Sequence, residues 1–358
     1  RAGSSRRSSR ERCLRGLRFV FATILVTAFC VGLSNAGPRT PGPVRLLVAS
    51  SSRKNVEAYD ILSGAYLGQF LKNGTVGIGD YSVDTITARP GDNYLYLSAY
   101  KNDLVTEAKI LVYTKDGQFI KRFDSGYRLN WLYGITWDTK GDVLYAACLG
   151  TDQVVAYDKF GKFIRVIASG LGIAASVQGP NALVYDKVNG VEYLYVTTGG
   201  SSAADKTRNT VQLLYDSVVG KINIHTGQFI LIAKPTPAPG GQGFVAVLGL
   251  ELLPRGYLGP NPTLIVSDFA NDVRYYDAIT YQETLFVRTA YNASNNVGQL
   301  LEYSGKLYVA AFDETVDSGV ILRYDAKTGA PLPGVGKTGA IFIGPDPRLA
   351  RGIGLSRV

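Results

Sequence analysis

A repeated segment limits what this chain can fold into. Each copy has a β-prone run that ends at an aromatic or apolar residue, then a short polar turn and a second β-prone run, as in "VVAYDKFGKFIRVI" at residues 154–167. The copies centre on Tyr59, Tyr113, Tyr157, Ile224, Tyr276 and Tyr324. Repeats of about 40 to 50 residues, each with several short strands, are typical of β-propellers, whose blades are four-stranded sheets.

The segments that precede these copies predict the number of blades. An apolar strand comes before every copy, and a further strand precedes five of them, beginning near residues 85, 134, 182, 250 and 300. The missing sixth strand is "RGIGLSRV", residues 351–358, whereas the first blade begins at Val44 without one. A C-terminal strand that joins the N-terminal blade closes the ring and removes an open sheet edge. The pattern therefore predicts an all-β, six-bladed propeller over residues 44–358 rather than five or seven blades.

Residues 1–36 have the pattern of a secretory leader. Seven arginines precede and adjoin the apolar run "FVFATILVTAFCVGL", which ends at Ser34-Asn35-Ala36. This run is shorter than the roughly 20 residues that a membrane span needs. We expect a cleaved signal peptide, a linker at 37–43 and no membrane span after cleavage. We predict that the protein is secreted and extracellular. The alternatives are that it is held by a signal anchor or lies in the lumen of an organelle.

The positive charge of the chain lies mainly in this leader. The formal net charge is +9, of which residues 1–36 carry +6, so that +3 belongs to the rest of the chain. A propeller this close to neutral has no basic surface for a polyanion. We therefore expect no nucleic-acid partner.

Cysteine and histidine are scarce, and one segment resembles a phosphate-binding loop. Cys148 is the only cysteine outside the leader, in the apolar run "LYAACLG", where burial is expected. The segment 331–340, "PLPGVGKTGA", has Pro331 where a phosphate-binding loop needs glycine, and a strand-like run follows it. His225, the only histidine, is predicted to lie in a peripheral turn, at the position that Asp60, Asp158, Asp277 and Asp325 hold in other repeats. No catalytic residue is assigned from these features.

Several segments resemble known propeller repeats. "YLYVTTGG", "VGKINIHTGQF" and "VLYAACLGTDQVVAYDKFGKFI" resemble YVTN-type repeats, and "GPNALVYD" and "YGITWDTKGDVLYAA" resemble NHL and lactonase-like six-bladed propellers. The resemblance covers nearly all of residues 44–358, in signatures that describe strand packing. It implies extracellular binding proteins, surface-layer components or metal-dependent hydrolases, and the fold does not decide among them.

The lactonase-like resemblance implies calcium at the mouth of the central channel, held by acidic and asparagine side chains from different blades. The candidate ligands here are Asp84, Asn130, Asn181 and Asn296. Aligning the inner strands on their turn glycines places Val83, Tyr133, Asn181, Leu248, Val297 and Arg351 at this mouth. Three of these residues are apolar and one is a cation, whereas calcium takes several oxygen ligands. This composition favours a binding protein over a metal-dependent enzyme.

The connections between strands supply the remaining candidates. The insertion at 199–219 lengthens one repeat, and long insertions on a rigid scaffold often carry recognition. Asn73 and Asn292 begin glycosylation sequons in predicted inter-blade loops.

Together these patterns predict a monomeric binding or scaffold module that recognises a protein or glycan partner through its inter-blade loops. A calcium-dependent lactonase-like or esterase-like hydrolase is one alternative, and a structural surface or wall component is the second.

Overall fold

Short antiparallel strands form six four-stranded blades in the computed structural model. It describes residues 44–101, 106–170, 176–202, 212–213, 217–234, 247–269, 272–289, 295–313 and 315–358. Blade 1 contains β1 (Arg45–Ser50), β2 (Asn55–Asp60), β3 (Tyr66–Leu71) and β27 (Gly352–Arg357). Blade 2 contains β4 (Ser82–Ala88), β5 (Tyr94–Tyr100), β6 (Glu107–Thr114) and β7 (Phe119–Arg122), with β8 (Leu129–Asn130) pairing to β6. Blade 3 contains β9 (Leu132–Trp137), β10 (Val143–Cys148), β11 (Gln153–Asp158) and β12 (Phe163–Ser169).

The second half of the ring follows the same plan. Blade 4 contains β13 (Pro180–Val188), β14 (Val191–Thr198), β17 (Val218–Asn223) and β18 (Phe229–Ala233), with the ribbon β15 (Ser201–Ser202) and β16 (Gln212–Leu213) between β14 and β17. Blade 5 contains β19 (Val247–Leu253), β20 (Thr263–Asp268), β21 (Asp272–Asp277) and β22 (Glu283–Arg288). Blade 6 contains β23 (Asn295–Tyr303), β24 (Lys306–Asp313), β25 (Ser318–Asp325) and β26 (Ile341–Asp346). Two short 3-10 helices cover Leu149–Thr151 and Pro347–Leu349.

The ring closes through the C-terminal strand, as predicted. The innermost strand β27 pairs antiparallel with β1, and backbone hydrogen bonds join Arg45 and Val358 in both directions at 2.8 and 3.0 Å. Each innermost strand packs against the innermost strands of both neighbouring blades. The prediction of a six-bladed, all-β propeller closed in this way is confirmed.

The hydrophobic core lies between the blades. Among the described residues, six buried clusters each combine side chains from two adjacent blades. Strand β5 shows why: Leu95 and Leu97 face the cluster shared with blade 1, whereas Tyr96 and Tyr100 face the one shared with blade 3. Both faces of a middle strand are therefore buried, and each large side chain contributes roughly 1.5–3 kcal/mol.

In five of the six blades, the turn between the third and fourth strands begins with an aspartate or an asparagine that accepts backbone N–H bonds. Asp60 accepts backbone N–H bonds from Leu62 and Ser63, and Asp158, Asp277 and Asp325 do the same in their blades. In blade 4 this residue is Asn223, which accepts from His225 and Thr226 at 3.0 and 3.1 Å. The expected equivalence of His225 with the aspartates is therefore wrong by two positions. His225 does lie in the peripheral turn, within 3.1 Å of Glu192.

Cys148 is fully buried, and burial raises the pKa of its thiol to about 12. The segment after 331–340 is the strand β26. Asn73 lies exposed between blades 1 and 2, whereas Asn292, the leader, the 37–43 linker and most of 199–219 lie outside the described residues. Within the described ranges, no helix has the length and apolar character needed to cross a membrane.

Candidate functional site

Every innermost strand is irregular at the same level of the ring. Its pairing with the second strand of the blade shifts register near the start of the innermost strand, in all six blades of the described chain. In blade 2, for example, Asp84 and Thr85 stand opposite the single residue Ser98. Such a β-bulge bends the strand and re-aims side chains, and bulges are frequent beside binding sites.

Hydroxyl side chains stabilise three of these bulges. A bulge leaves a backbone N–H without its ladder partner, and a buried unpaired N–H is destabilising. The Ser98 hydroxyl accepts a hydrogen bond from the Thr85 N–H at 2.9 Å. In the same way, the Thr197 hydroxyl accepts from the Ala182 N–H at 3.0 Å, and the Ser267 hydroxyl accepts from the Gly249 N–H at 2.8 Å.

The Ser267 hydroxyl also ties two blades together, because it donates to the carbonyl of Gly298 in blade 6. We expect Ser267→Ala to lower the free energy of unfolding by about 1–3 kcal/mol, since two buried groups lose their partner. Ser267→Thr is the matched control, because Thr197 performs the same role in blade 4. Denaturant unfolding measures both, and equal losses for alanine and threonine would contradict the role of the hydroxyl.

The blades approach each other so closely at this level that a side chain would not fit. A Cβ atom on Gly354 would lie 1.8 Å from the Asp84 carbonyl oxygen, and one on Gly134 would lie 2.3 Å from that of Asn181. Glycine therefore allows the bulged backbones of adjacent blades to meet around the channel.

The bulges direct side chains into one pocket of about 110 Å3. From the bulged segments the lining residues are Asp84, Tyr133, Asn181, Leu248, Gly298 and Gln299. From the ends of the second strands and the residues just beyond them they are Ser51, Tyr100, Phe269 and Phe312. Arg351, just before β27, completes the set. Inter-blade connections enter at the start of the innermost strands, so the pocket opens on the face that carries them.

Asp84 is a buried carboxyl group without a cationic partner among the described residues. Its Oδ1 accepts from the Thr85 hydroxyl at 3.2 Å and from the Gln299 amide at 3.4 Å, both neutral donors. Burial raises the pKa of Asp84 to about 6, against the lowering effect of these two hydrogen bonds.

Asn181 combines a satisfied amide nitrogen with an unsatisfied oxygen. Its Nδ2 donates to the Val247 carbonyl at 2.7 Å, which joins blade 4 to blade 5. Its Oδ1 is buried and accepts no hydrogen bond from the described protein groups. A buried acceptor without a donor is destabilising, so this atom is suited to a ligand or an ordered water.

Aromatic rings form much of the pocket wall. Tyr100 and Tyr133 meet edge to face with centroids 4.9 Å apart, and Phe269 and Phe312 do so at 5.9 Å. Burial raises the pKa of both tyrosine hydroxyls, and the Asp84 carboxylate adds to the rise. Both hydroxyls therefore stay protonated, and the Tyr133 hydroxyl accepts a hydrogen bond from the Trp131 indole N–H at 2.9 Å.

Arg351 is the exposed cation of the pocket. Its guanidinium carbon lies 5.9 Å from the centroid of the Phe312 ring. Its φ of 46° is in the left-handed region, which residues other than glycine rarely adopt. An arginine held there is a strained position of the kind that clusters at functional sites.

The four predicted metal ligands do not all come together. Asp84 and Asn181 line the pocket, whereas Asn130 lies on β8 and Asn296 near the start of β23, outside the lining set. Tyr133, Leu248 and Arg351 face the pocket as expected from the alignment. In blades 2 and 6 the alignment is wrong, because Val83 and Val297 are fully buried and the pocket residues are Asp84 and Gln299.

Apart from Tyr133, sequence reasoning missed the aromatic residues of the pocket, although a signal for them exists. Tyr100, Phe269 and Phe312 share one position, two residues after the small residues Ser98, Ser267 and Ala310 of their second strands. An aromatic residue at this point of "LSAY", "VSDF" and "VAAF" therefore identifies the channel wall.

Acidic side chains lie towards the opposite ends of the innermost strands. Burial raises the pKa of Glu251 to about 8, the nearby Glu302 carboxylate adds to the rise, and Arg357 opposes it. At neutral pH Glu251 is therefore mostly protonated. This group lies on β19, whereas its neighbours lie on β23 and β27.

The fold and the pocket define a six-bladed β-propeller with a side-chain-lined cavity at one end of its channel. No protein-family model matches the chain, and no curated protein does so either. Among solved structures, a chain of the "Crystal structure of Nidogen/Laminin Complex" is similar, with a TM-score of 0.55 and 14% identity. The match covers 79% of this chain and 89% of that one. At this identity the likeness bears on the fold alone.

Proposed function

We propose that this protein is a binding module whose recognition site is the central pocket and the inter-blade loops around it. The observation that carries the proposal is Asn181, a buried side chain in the pocket whose Oδ1 has no donor among the described groups. Pockets that bind small groups are mostly apolar with a few convergent polar atoms. Aromatic walls with Asp84, Asn181 and Gln299 fit that description.

The partner is a small molecule, a protein side chain or part of a glycan that enters the pocket from the loop face. The leader pattern supports a secreted or lumenal site of action. The chain similar in fold comes from a complex of nidogen and laminin, and a protein partner is consistent with that neighbour.

A divalent-metal-dependent hydrolase is the alternative that Asp84 and Asn181 support. Calcium takes six to eight oxygen ligands, usually including several carboxylates. Within the described part of the chain, the pocket lining has one carboxylate, and no group of three acidic, histidine or cysteine residues forms a metal cluster. These residues are a partial calcium shell, so the binding module is the better-supported function. A purely structural wall component would leave the pocket without a role.

The proposal is tested by thermal melts with small polar compounds and, separately, with EDTA and excess calcium. A ligand that binds only the folded state raises the melting temperature. Leu248→Phe, which fills the pocket, should abolish the rise. Leu252→Phe is the matched control, the same change on the same strand but away from the pocket, and should retain it.

Three results are distinguished. Compound-induced shifts that vanish only in Leu248→Phe support the binding module. A shift with calcium alone, lost in the same variant, supports the metal-dependent alternative. Shifts that persist in Leu248→Phe, or no shift with any compound, overturn the pocket as the recognition site.

A further inference from the structure

The polar groups of the central pocket are arranged by depth. Asp84 and Asn181 are buried, at 5% and 2% exposure, and they offer acceptor oxygens. Arg351 is exposed and offers guanidinium N–H donors at the mouth. The aromatic pairs lie among these lining groups. A ligand that contacts both ends of the pocket therefore needs a donor at its inner end and an acceptor at its outer end.

The inner end fits an organic ammonium group better than a metal ion. The Asp84 carboxyl group has neutral hydrogen-bond donors, and Asn181 Oδ1 has none among the described groups. An ammonium group carries three N–H donors and one positive charge. It is also attracted to aromatic faces, which cannot coordinate a hard divalent cation.

The outer end fits a carboxylate. A guanidinium has five N–H donors in a fork that matches a carboxylate. Arg351 holds this group beside the Phe312 ring from a left-handed backbone position that glycine would occupy without strain.

We propose that the central pocket binds a small zwitterion, with its ammonium group at Asp84 and Asn181 and its carboxylate at Arg351. The inference rests on the binding function proposed above and names its ligand class. The volume is consistent with it: an apolar cavity of about 150 Å3 holds benzene, so 110 Å3 suits a ligand of roughly four to six heavy atoms.

The test compares three matched probes by titration calorimetry. β-Alanine carries both charged groups, propionate lacks the ammonium group and propylammonium lacks the carboxylate. We expect β-alanine to bind with a dissociation constant on the order of 1 mM, as a ligand of this size allows. Each single-charge probe should bind at least about tenfold more weakly, because it can form only one of the two charged interactions.

Two pairs of variants assign the ends of the ligand. Asp84→Asn should weaken β-alanine at least about tenfold, and Arg351→Gln should weaken it while leaving propylammonium binding unchanged. The controls are Asp142→Asn and Arg288→Gln, which change exposed groups away from the pocket and should bind β-alanine as the original protein does.

The outcomes separate this inference from the proposed function. Propionate binding as tightly as β-alanine overturns the ammonium site, and equal binding of propylammonium overturns the carboxylate site. If β-alanine fails to bind but another compound gives a shift that Leu248→Phe abolishes, the zwitterion is wrong and the binding module stands. If no compound does so, both fail.

Discussion

A chain that ends at Arg351 is expected not to fold. Without residues 352–358, blade 1 loses its innermost strand and the ring loses the pairing of β27 with β1. Leu355 and Val358 also leave the clusters that blade 1 shares with its neighbours. The exposed edge of β1 is then a template for aggregation. Circular dichroism and size-exclusion chromatography of residues 37–351 and 37–358 measure the loss, which we expect to be complete.

A circular permutant keeps the pairing of β27 with β1 but moves β27 to the start of the chain. Because Arg45 and Val358 are hydrogen-bonded to each other, a two-residue Asn-Gly turn can join Val358 to Arg45 as a hairpin. The permuted chain starts at Gly352, ends at Arg351 and keeps every strand of the propeller. We expect it to fold and to melt cooperatively. If the truncated chain is as stable as the permutant, closure by β27 is dispensable.

Asp84→Asn is expected to stabilise the protein at neutral pH, whereas most substitutions destabilise. The folded pKa of about 6 lies above the ordinary value of 3.8, so the folded state holds a proton that the unfolded chain releases between these values. The free energy of unfolding therefore falls as pH rises through this window and stays lower above it. The difference of about two pKa units corresponds to about 3 kcal/mol. Asparagine removes this penalty because it does not ionise.

Denaturant unfolding at pH 4 and pH 7.5 measures the effect. The variant should match the original protein near pH 4 and exceed it by up to about 3 kcal/mol at pH 7.5. Asp142→Asn, at an exposed carboxyl group, should follow the original protein at both values. A variant less stable than the original at pH 7.5 would show that the ionised carboxylate is stabilised in the folded state.

The fold was accessible from sequence because its signals are local. Strand alternation and turn residues recur in every blade, and the unmatched strand at 351–358 identified the closure. Blade 4 was misaligned because "INIH" offers Ile222 and Ile224 at strand spacing. Its register follows from Asn223, whose side chain makes the turn hydrogen bonds that aspartate makes elsewhere.

The pocket was less accessible because bulges interrupt the alternation that sequence reasoning depends on. Counting back from turn glycines led to Val83 and Val297, which are buried, whereas the same count led to Tyr133 and Leu248, which line the pocket. Asp84 was found by its chemistry rather than by the alignment of the strands, and Asn181 was found by both. Asn130 and Asn296 have the same chemistry, but they are outside the lining residues.

The pairing of β27 with β1 also sets an order of events during synthesis. Blade 1 receives three of its strands first and its innermost strand last, about 300 residues later in the chain. While a ribosome makes the chain, the edge of β1 stays open until residues 352–358 emerge. Blades 2 to 6 each consist of one continuous segment and are complete before that point. A chain truncated before β27 therefore exposes permanently the edge of β1 that the nascent chain exposes only briefly.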